Sequence, residues 1–319
     1  MTRLIISLLL LFAFVLPSAA QTYPSRSIRF IVPFAAGGGT DLIARSLAQK
    51  LAETLGQTVV VENRSGANAA IGTELAAKSQ PDGYTIMIAT PTFTVNPSMM
   101  PKLPYDAIRD FAPISLVATS PHLLGVHLSL PAKSVKELVA LARAKPEQLT
   151  FSSGATGGSS HLSTELFGSV AGIKMVNVPY RGTGQSVLAI VTGEVSLGFN
   201  DVMTNLPHIK TGRLRGLAVT SLERSTAVPD LPTIAESGYP GFQSGVWYGV
   251  VVRSGTPPQV IARLNTELVK IARSPDFVQR LNAQGAEIVA STPEYFGEFI
   301  RTEMVRWAKI IKEARIVSK

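Results

Sequence analysis

The segment Ile28-Arg29-Phe30-Ile31-Val32-Pro33-Phe34-Ala35-Ala36-Gly37-Gly38-Gly39-Thr40-Asp41 decides how this chain folds. Its first five residues form an apolar, β-branched run that predicts a strand. Beyond it, Ile43, Leu47, Leu51 and Leu55 recur on one face of a helix, and Gly56 ends that helix. Between the two lies a glycine loop. Glycines let the main chain approach a ligand and turn its N–H groups outward. The helix start adds partial positive charge that favours an anion, and Thr40 or Asp41 can cap it. Leu42 stands where a G-x-G-x-x-G fingerprint needs its last glycine, and no Lys follows as in a P-loop. A dinucleotide or triphosphate is therefore not expected. Spacing alone leaves an anion cradle and a plain tight turn both open.

A second unit has the same layout. A strand at Leu149 to Ser152 runs into Ser152-Ser153-Gly154-Ala155-Thr156-Gly157-Gly158-Ser159-Ser160-His161, and a helix follows from about Ser160 to Ala171. The loop is dense in neutral donors, which suit a carboxylate held without a full countercharge. Two such loops on separate lobes, both at the carboxyl ends of strands, would face one cleft.

The remaining chain alternates apolar runs with amphipathic stretches, as in α/β proteins. Strands are expected at Thr58 to Val61, Tyr84 to Ala89, Met175 to Val178, Val195 to Phe199, Gly216 to Thr220 and Gly245 to Val252. Helices are expected around Gly72 to Lys78, Gln185 to Thr192 and Pro293 to Arg315. In the last, Phe296, Ile300, Trp307 and Ile311 form a buried face. Ile114 to Val126 reads as a crossing between lobes. Ser134 and Glu137 form a capping box, and Thr256 to Gln259 caps a helix with Pro257 at its first position.

Two further turns sit before helices. In Val178-Pro179-Tyr180-Arg181-Gly182-Thr183-Gly184, Arg181 either reaches an anion or stays solvated. In Phe199-Asn200-Asp201, Asp201 either accepts from a ligand or caps the following helix. His161 is a ligand donor or a brace for its loop. A triad of Ser160, His161 and Asp201 lacks the G-x-S-x-G elbow, and adjacent residues on a helix point in different directions. The four histidines, His122, His127, His161 and His208, show no metal-ligand spacing. No catalytic residue, metal or cofactor is expected.

The chain has 319 residues, with 45% hydrophobic and 16% charged, a length that suits two lobes. It has no cysteine, which excludes disulfides and thiolate chemistry. Residues 1–20 read as a secretory leader. Arg3 precedes an apolar stretch from Leu4 to Leu16, shorter than the roughly 20 residues of a membrane span, and Ser18-Ala19-Ala20 offers a cleavage point near Ala20. Gln21 follows, not a lipid-accepting cysteine, so an exported, unanchored monomer is expected. The net charge of +8 becomes +7 once Arg3 is removed with the leader. Its Arg and Lys are scattered without interleaved aromatics, so it implies attraction of anionic solutes, not nucleic acid.

Read together, these segments resemble the tripartite tricarboxylate transporter receptors, also called the Bug family of periplasmic binding proteins. The likeness covers the mature chain. It rests on Tyr23-Pro24 with Arg26, Ile31-Val32-Pro33-Phe34 with Gly37-Gly38 and Asp41, Val61-Glu62-Asn63-Arg64, and Pro81-Asp82-Gly83-Tyr84. It continues through Ser153-Gly154 to His161, Glu165-Leu166-Phe167, Val178 to Gly182, Pro207-His208-Ile209, Leu217 to Thr220, Pro229 to Thr233 and Trp247-Tyr248-Gly249. The resemblance implies a two-lobed Venus-flytrap α/β fold, each lobe a mainly parallel sheet flanked by helices. Lobe 1 would be residues 21–120 plus 245–319, and lobe 2 residues 121–244. It implies a periplasmic receptor, not an enzyme, that passes a small carboxylate to membrane permease subunits. Carried onto this chain, the grip falls on Phe34, Ala36, Gly37, Gly38 and Asp41 in the first loop. In the second it falls on Ser153, Thr156, Gly157, Ser160 and His161, with Thr90 and Asp201 as side-chain selectors; Arg181 joins them as a candidate ligand contact from its own turn. Three departures stand out. Ala36 replaces a family Pro, Ser65-Gly66-Ala67-Asn68-Ala69 replaces a glycine-richer stretch, and Asn200 sits where the family often has its acid. Rival functions on the same clamp are a carboxylate sensor and, on Ser160 and His161, an exported hydrolase.

Overall fold

The computed structural model describes residues 23–100 and 102–313. The leader and the end of the last predicted helix lie outside these residues. The opening segment folds as its pattern dictates. Ile28–Val32 is strand β1 and Gly39–Leu55 is helix α1. Ile43, Leu47 and Leu51 are fully buried. Gly56 closes the helix in the left-handed region, its N–H on Ala52 O at 3.1 Å.

The elements that follow are β2 (Val59–Asn63), α2 (Ala70–Ala77), β3 (Thr85–Ala89), α3 (Pro91–Met99), β4 (Phe111–Val126), α4 (Val135–Ala144), β5 (Thr150–Ser153) and α5 (Ser159–Ala171). Next come β6 (Val176–Pro179), α6 (Thr183–Val191), β7 (Leu197–Asp201), α7 (Val202–Lys210), β8 (Arg215–Val219) and β9 (Gly245–Arg253). The chain ends with α8 (Pro258–Ala272), α9 (Pro275–Asn282), β10 (Glu287–Ile288) and α10 (Pro293–Glu313).

The strands follow the order β2-β1-β3-β9-β4-β7-β5-β6, with β8 and β10 beside β4. β2, β1 and β3 are mutually parallel at one end, and β6, β5 and β7 at the other. The long strands β4 and β9 run antiparallel between these sets. β4 changes partner within two residues: Pro121 pairs with Gly245 of β9, and His122 pairs with Asp201 of β7. That switch divides the molecule into two halves.

Strand alternation explains the packing of the first half. Phe30, Ile86, Ile88, Val250 and Val252 pack with α1, α8 and α9 on one face. Ile31, Met87 and Val251 point to the other face and pack with Phe296 and Ile300 of α10. In the second half, Phe151, Leu197 and Phe199 pack with Leu138 of α4 and Phe167 of α5.

Three local expectations change. Ser134 Oγ does accept from Glu137 N at 3.2 Å, but Glu137 reaches Lys133 N at 2.7 Å instead of closing a box on Ser134. Thr256 does not cap α8: its hydroxyl donates to Arg253 O at 2.7 Å, and Pro258, not Pro257, is the first helical residue. Helix α3 follows β3 where no helix is expected, because its sequence carries Pro97 and nearly all of its residues are buried, leaving no amphipathic period.

Candidate functional site

The amino ends of five helices converge between the two halves. Gly38 and Thr40 at α1, Thr90 and Thr92 at α3, Gly158 to Ser160 at α5, Gly182 and Thr183 at α6, and Asp201 before α7 line one cavity of about 40 Å³. Phe34, Ala35, Gly154, Ala155 and Val246 complete its wall. Arg and Lys are absent from this lining, so attraction for an anion comes from helix ends and outward main-chain N–H groups.

The halves touch here. A Cβ on Gly38 would lie 2.6 Å from Thr183 Oγ1, and one on Gly184 would lie 3.0 Å from Gly37 O. The 182–184 turn thus makes the tightest approach to the first glycine loop, and the second loop flanks it. Gly39 is equally confined: a Cβ there would meet Tyr248 Oη at 2.8 Å and Asp201 Oδ1 at 3.0 Å.

Asp201 is 2% exposed and has no cationic partner among the described residues. Burial pushes its carboxyl pKa up, against the pull of hydrogen bonds from the Thr204 hydroxyl and amide. The hydrogen bond that Thr204 N donates to Asp201 Oδ1 at 2.7 Å makes Asp201 the cap of α7 as well as a cavity wall. Burial likewise pushes the Tyr248 hydroxyl well above the usual tyrosine range, aided by the Asp201 charge, and that hydroxyl has no hydrogen-bond partner among the described residues.

The residue shift at Asn200 has a structural reason. Asn200 is fully buried and accepts from Ser186 Oγ at 2.9 Å, and the same hydroxyl reaches Ser152 Oγ at 2.8 Å. Position 200 therefore braces β7 to α6 and β5, and the acid one residue later faces the cleft.

The proposed grip residues fall into three groups. Phe34, Gly38, Thr90, Ser160 and Asp201 meet on the inner cavity. Thr156 and Arg181, with Phe34, Gly154 and Ala155, line an adjoining outer chamber of about 500 Å³, whose other wall is Ser65 to Ala69. Ala36, Gly37, Asp41, Ser153, Gly157 and His161 line neither space. Several of these hold the loops in shape instead. Asp41 accepts from Gly37 N at 3.0 Å, Arg45 Nε at 3.0 Å and Asn63 Nδ2 at 2.9 Å. Burial opposes its ionisation, but these bonds hold its pKa below the usual range.

His161 Nδ1 accepts from Gly157 N at 3.0 Å, and Ser160 Oγ accepts from Gly154 N at 3.0 Å. Each closes the second loop on its own helix. Burial lowers the His161 pKa to about 4, so the ring is neutral and suited to accepting that amide. Neither group is arranged as a nucleophile with its base. Among the described residues no cluster of His, Asp and Glu could hold a metal ion.

Tyr248, Thr92, Thr183 and Val246 were not expected at the site. Tyr248 and Val246 sit in an apolar strand run that reads as core. The signal for Thr183 was available, since it opens a helix after glycine, as Thr40 does.

Known proteins resemble this chain over most of its length. Residues 43–316 match the family described as tripartite tricarboxylate transporter family receptor. Protein BugT of Bordetella pertussis is 40% identical over 299 residues, covering 93% of this chain and 92% of that one. An R. palustris protein solved with adipate superposes with a TM-score of 0.91 at 36% identity, covering 92% of this chain and 99% of the other. MatC from Rhodopseudomonas palustris with bound malate gives a TM-score of 0.86 at 30% identity, over 91% and 100% of the two chains. The chain therefore belongs to the tripartite tricarboxylate transporter receptors, the Bug family of periplasmic binding proteins, which bind solutes and are not enzymes.

Proposed function

We propose that this protein is an exported periplasmic receptor that captures a small carboxylate and delivers it to the permease subunits of a tripartite tricarboxylate-type transporter. The ligand class comprises di- and tricarboxylates, amino acids and aromatic acids. The observation that carries this reading is the convergence of five helix amino ends on a cavity without Arg or Lys. The adipate- and malate-bound relatives support the same class.

In this reading one carboxylate occupies the inner cavity, held by Gly38, Thr90, Thr92, Ser160 and Thr183, and the body of the ligand extends into the outer chamber toward Arg181. Residues 21–120 with 245–319 form one lobe and 121–244 the other. They hinge where β4 and β9 cross, near residues 115–126 and 240–248. Ligand contacts from both lobes exist only when the cleft is shut, so binding drives closure. The receptor acts as a monomer, freed from its leader near Ala20.

A thermal-shift screen of the mature protein against organic acids tests this. A ligand at a hundred times its dissociation constant adds about 2.7 kcal/mol of stability. Stabilisation by at least one such acid is expected, and no stabilisation by any of the three classes overturns the proposal.

A further inference from the structure

We propose that a second small-molecule site, for a neutral polyol of about monosaccharide size, lies behind the crossing strands on the side opposite the carboxylate cleft. Val246 lines both spaces, and strand alternation turns its neighbour Trp247 to the back. There, Trp247, Ser221, Gln243 and Ser244 face Phe299, Glu303, Arg306 and Trp307 of α10 across a cavity of about 330 Å³. That size falls within the roughly 300–1,000 Å³ of small-molecule pockets.

The polar groups state what the cavity lacks. Trp247 Nε1, Ser244 Oγ and Ser221 Oγ are buried atoms with no hydrogen-bond partner among the described residues. Trp247 is 4% exposed and Ser244 8%. An indole N–H can only donate, so a molecule that pairs with it must offer an acceptor. A buried donor left unpaired is costly, which favours an occupant that pairs it.

Charge narrows the class. Glu303 is already satisfied: Arg306 Nη1 reaches its Oε1 at 3.0 Å and Trp307 Nε1 its Oε2 at 2.9 Å. Arg306 also lies over the Trp307 ring at 5.4 Å. With that pair neutralised, Glu287 leaves the lining acidic, which disfavours an anion. A simple cation brings donors but no acceptors. Hydroxyl groups both accept from Trp247 and the serines and donate to Glu287 or Gln243, while aromatic walls cover the carbon skeleton.

Both tryptophans of the chain line this cavity, so indole emission reports its occupancy directly. The mature protein is titrated with D-glucose and with myo-inositol, with glycine betaine as a zwitterionic control. A saturable emission change with a polyol, at a dissociation constant of about 1 mM or tighter, is expected. Ser244→Ala should weaken that response about fivefold, the scale of one neutral hydrogen bond. It should leave thermal stability intact, because the hydroxyl it removes has no protein partner. In Trp247→Phe the response of Trp307 should weaken similarly. No response to either polyol, an undiminished response in both variants, or a response to betaine alone would each overturn the proposal.

Discussion

Thr183 Oγ1 stands 2.6 Å from the point where Gly38 would carry a Cβ, so a methyl group there would have to displace the Thr183 hydroxyl where the amino ends of α6 and α1 meet. The contact crosses between the two halves. Gly38→Ala should therefore hold the cleft ajar without harming either half. We expect carboxylate binding to weaken at least tenfold, about 1.4 kcal/mol. The thermal midpoint without ligand should move by less than about 2 °C, since neither core is touched. Isothermal titration of parent and variant measures this. Equal affinities would show that the cleft binds without closing to this separation.

Arg181 lines the outer chamber but not the inner cavity, and its main-chain N–H is tied to Gln185 Oε1 at 3.3 Å. The guanidinium is thus placed to meet a second negative charge on the body of a ligand. Arg181→Ala should weaken a dicarboxylate about fivefold more than a monocarboxylate of similar length, roughly 1 kcal/mol for a partly exposed pair. Competition binding with the two acids gives the ratio. Loss of the same factor for both would mean that Arg181 acts only through the general field.

The loop that departs from the family's glycine-rich stretch carries an unusual backbone. Ala67, Asn68 and Ala69 lie consecutively at φ of 45°, 51° and 70°, in the left-handed region that disfavours residues with a Cβ. The turn is held in place by Asn68 and Asn96: Asn68 Nδ2 donates to Asn96 Oδ1 at 2.6 Å, and Asn96 Nδ2 donates to Asn68 O at 2.9 Å. Ala69→Gly would relieve about 1–2 kcal/mol of steric cost against about 0.4–1 kcal/mol of added unfolded-state entropy. A stability gain between about 0 and 1.6 kcal/mol is expected in urea unfolding. A clear loss would mean that the Ala69 methyl, 4% exposed, contributes more packing than the backbone conformation costs.

The two strand–glycine-loop–helix units were legible because each has glycines at the turn between a strand and a helix; in the first, an apolar β-branched run precedes them and a four-residue apolar period ending at Gly56 follows. β3 read correctly because all five of its residues are buried and apolar or β-branched. What failed to show was set by tertiary context. α3 is buried nearly all round, so its sequence has no polar face to mark it as a helix. Tyr248 looked like core, and only the fold aims its hydroxyl at Gly39 and places Asp201 beside it. The roles of Asp41 and His161 were ambiguous for a different reason. Side chains that brace a glycine loop and side chains that touch its ligand share the same residue types and spacing.

Asp201 gives the site a dependence on pH whose sign can be worked out. Burial raises its pKa above the unfolded carboxyl value near 3.9. Its share of stability is thus complete below that value and is lost as pH rises through the folded pKa. The buried rings of His122 and His161 act oppositely. Burial lowers them to about 3 and about 4, so their stability is present above the ordinary histidine value near 6.5 and is lost as pH falls below it. The difference between Asp201→Asn and the parent cancels the histidines. The asparagine Oδ1 still accepts from Thr204 N, so the α7 cap survives. The variant should gain on the parent as pH rises from about 4 toward neutrality. Its carboxylate affinity should also stay level where that of the parent declines, because an ionised Asp201 repels an anionic guest in the same cavity. Thermal midpoints and titrations across that range measure both. A constant offset between the two proteins would mean that Asp201 keeps one protonation state throughout and that the cleft holds no titrating acid.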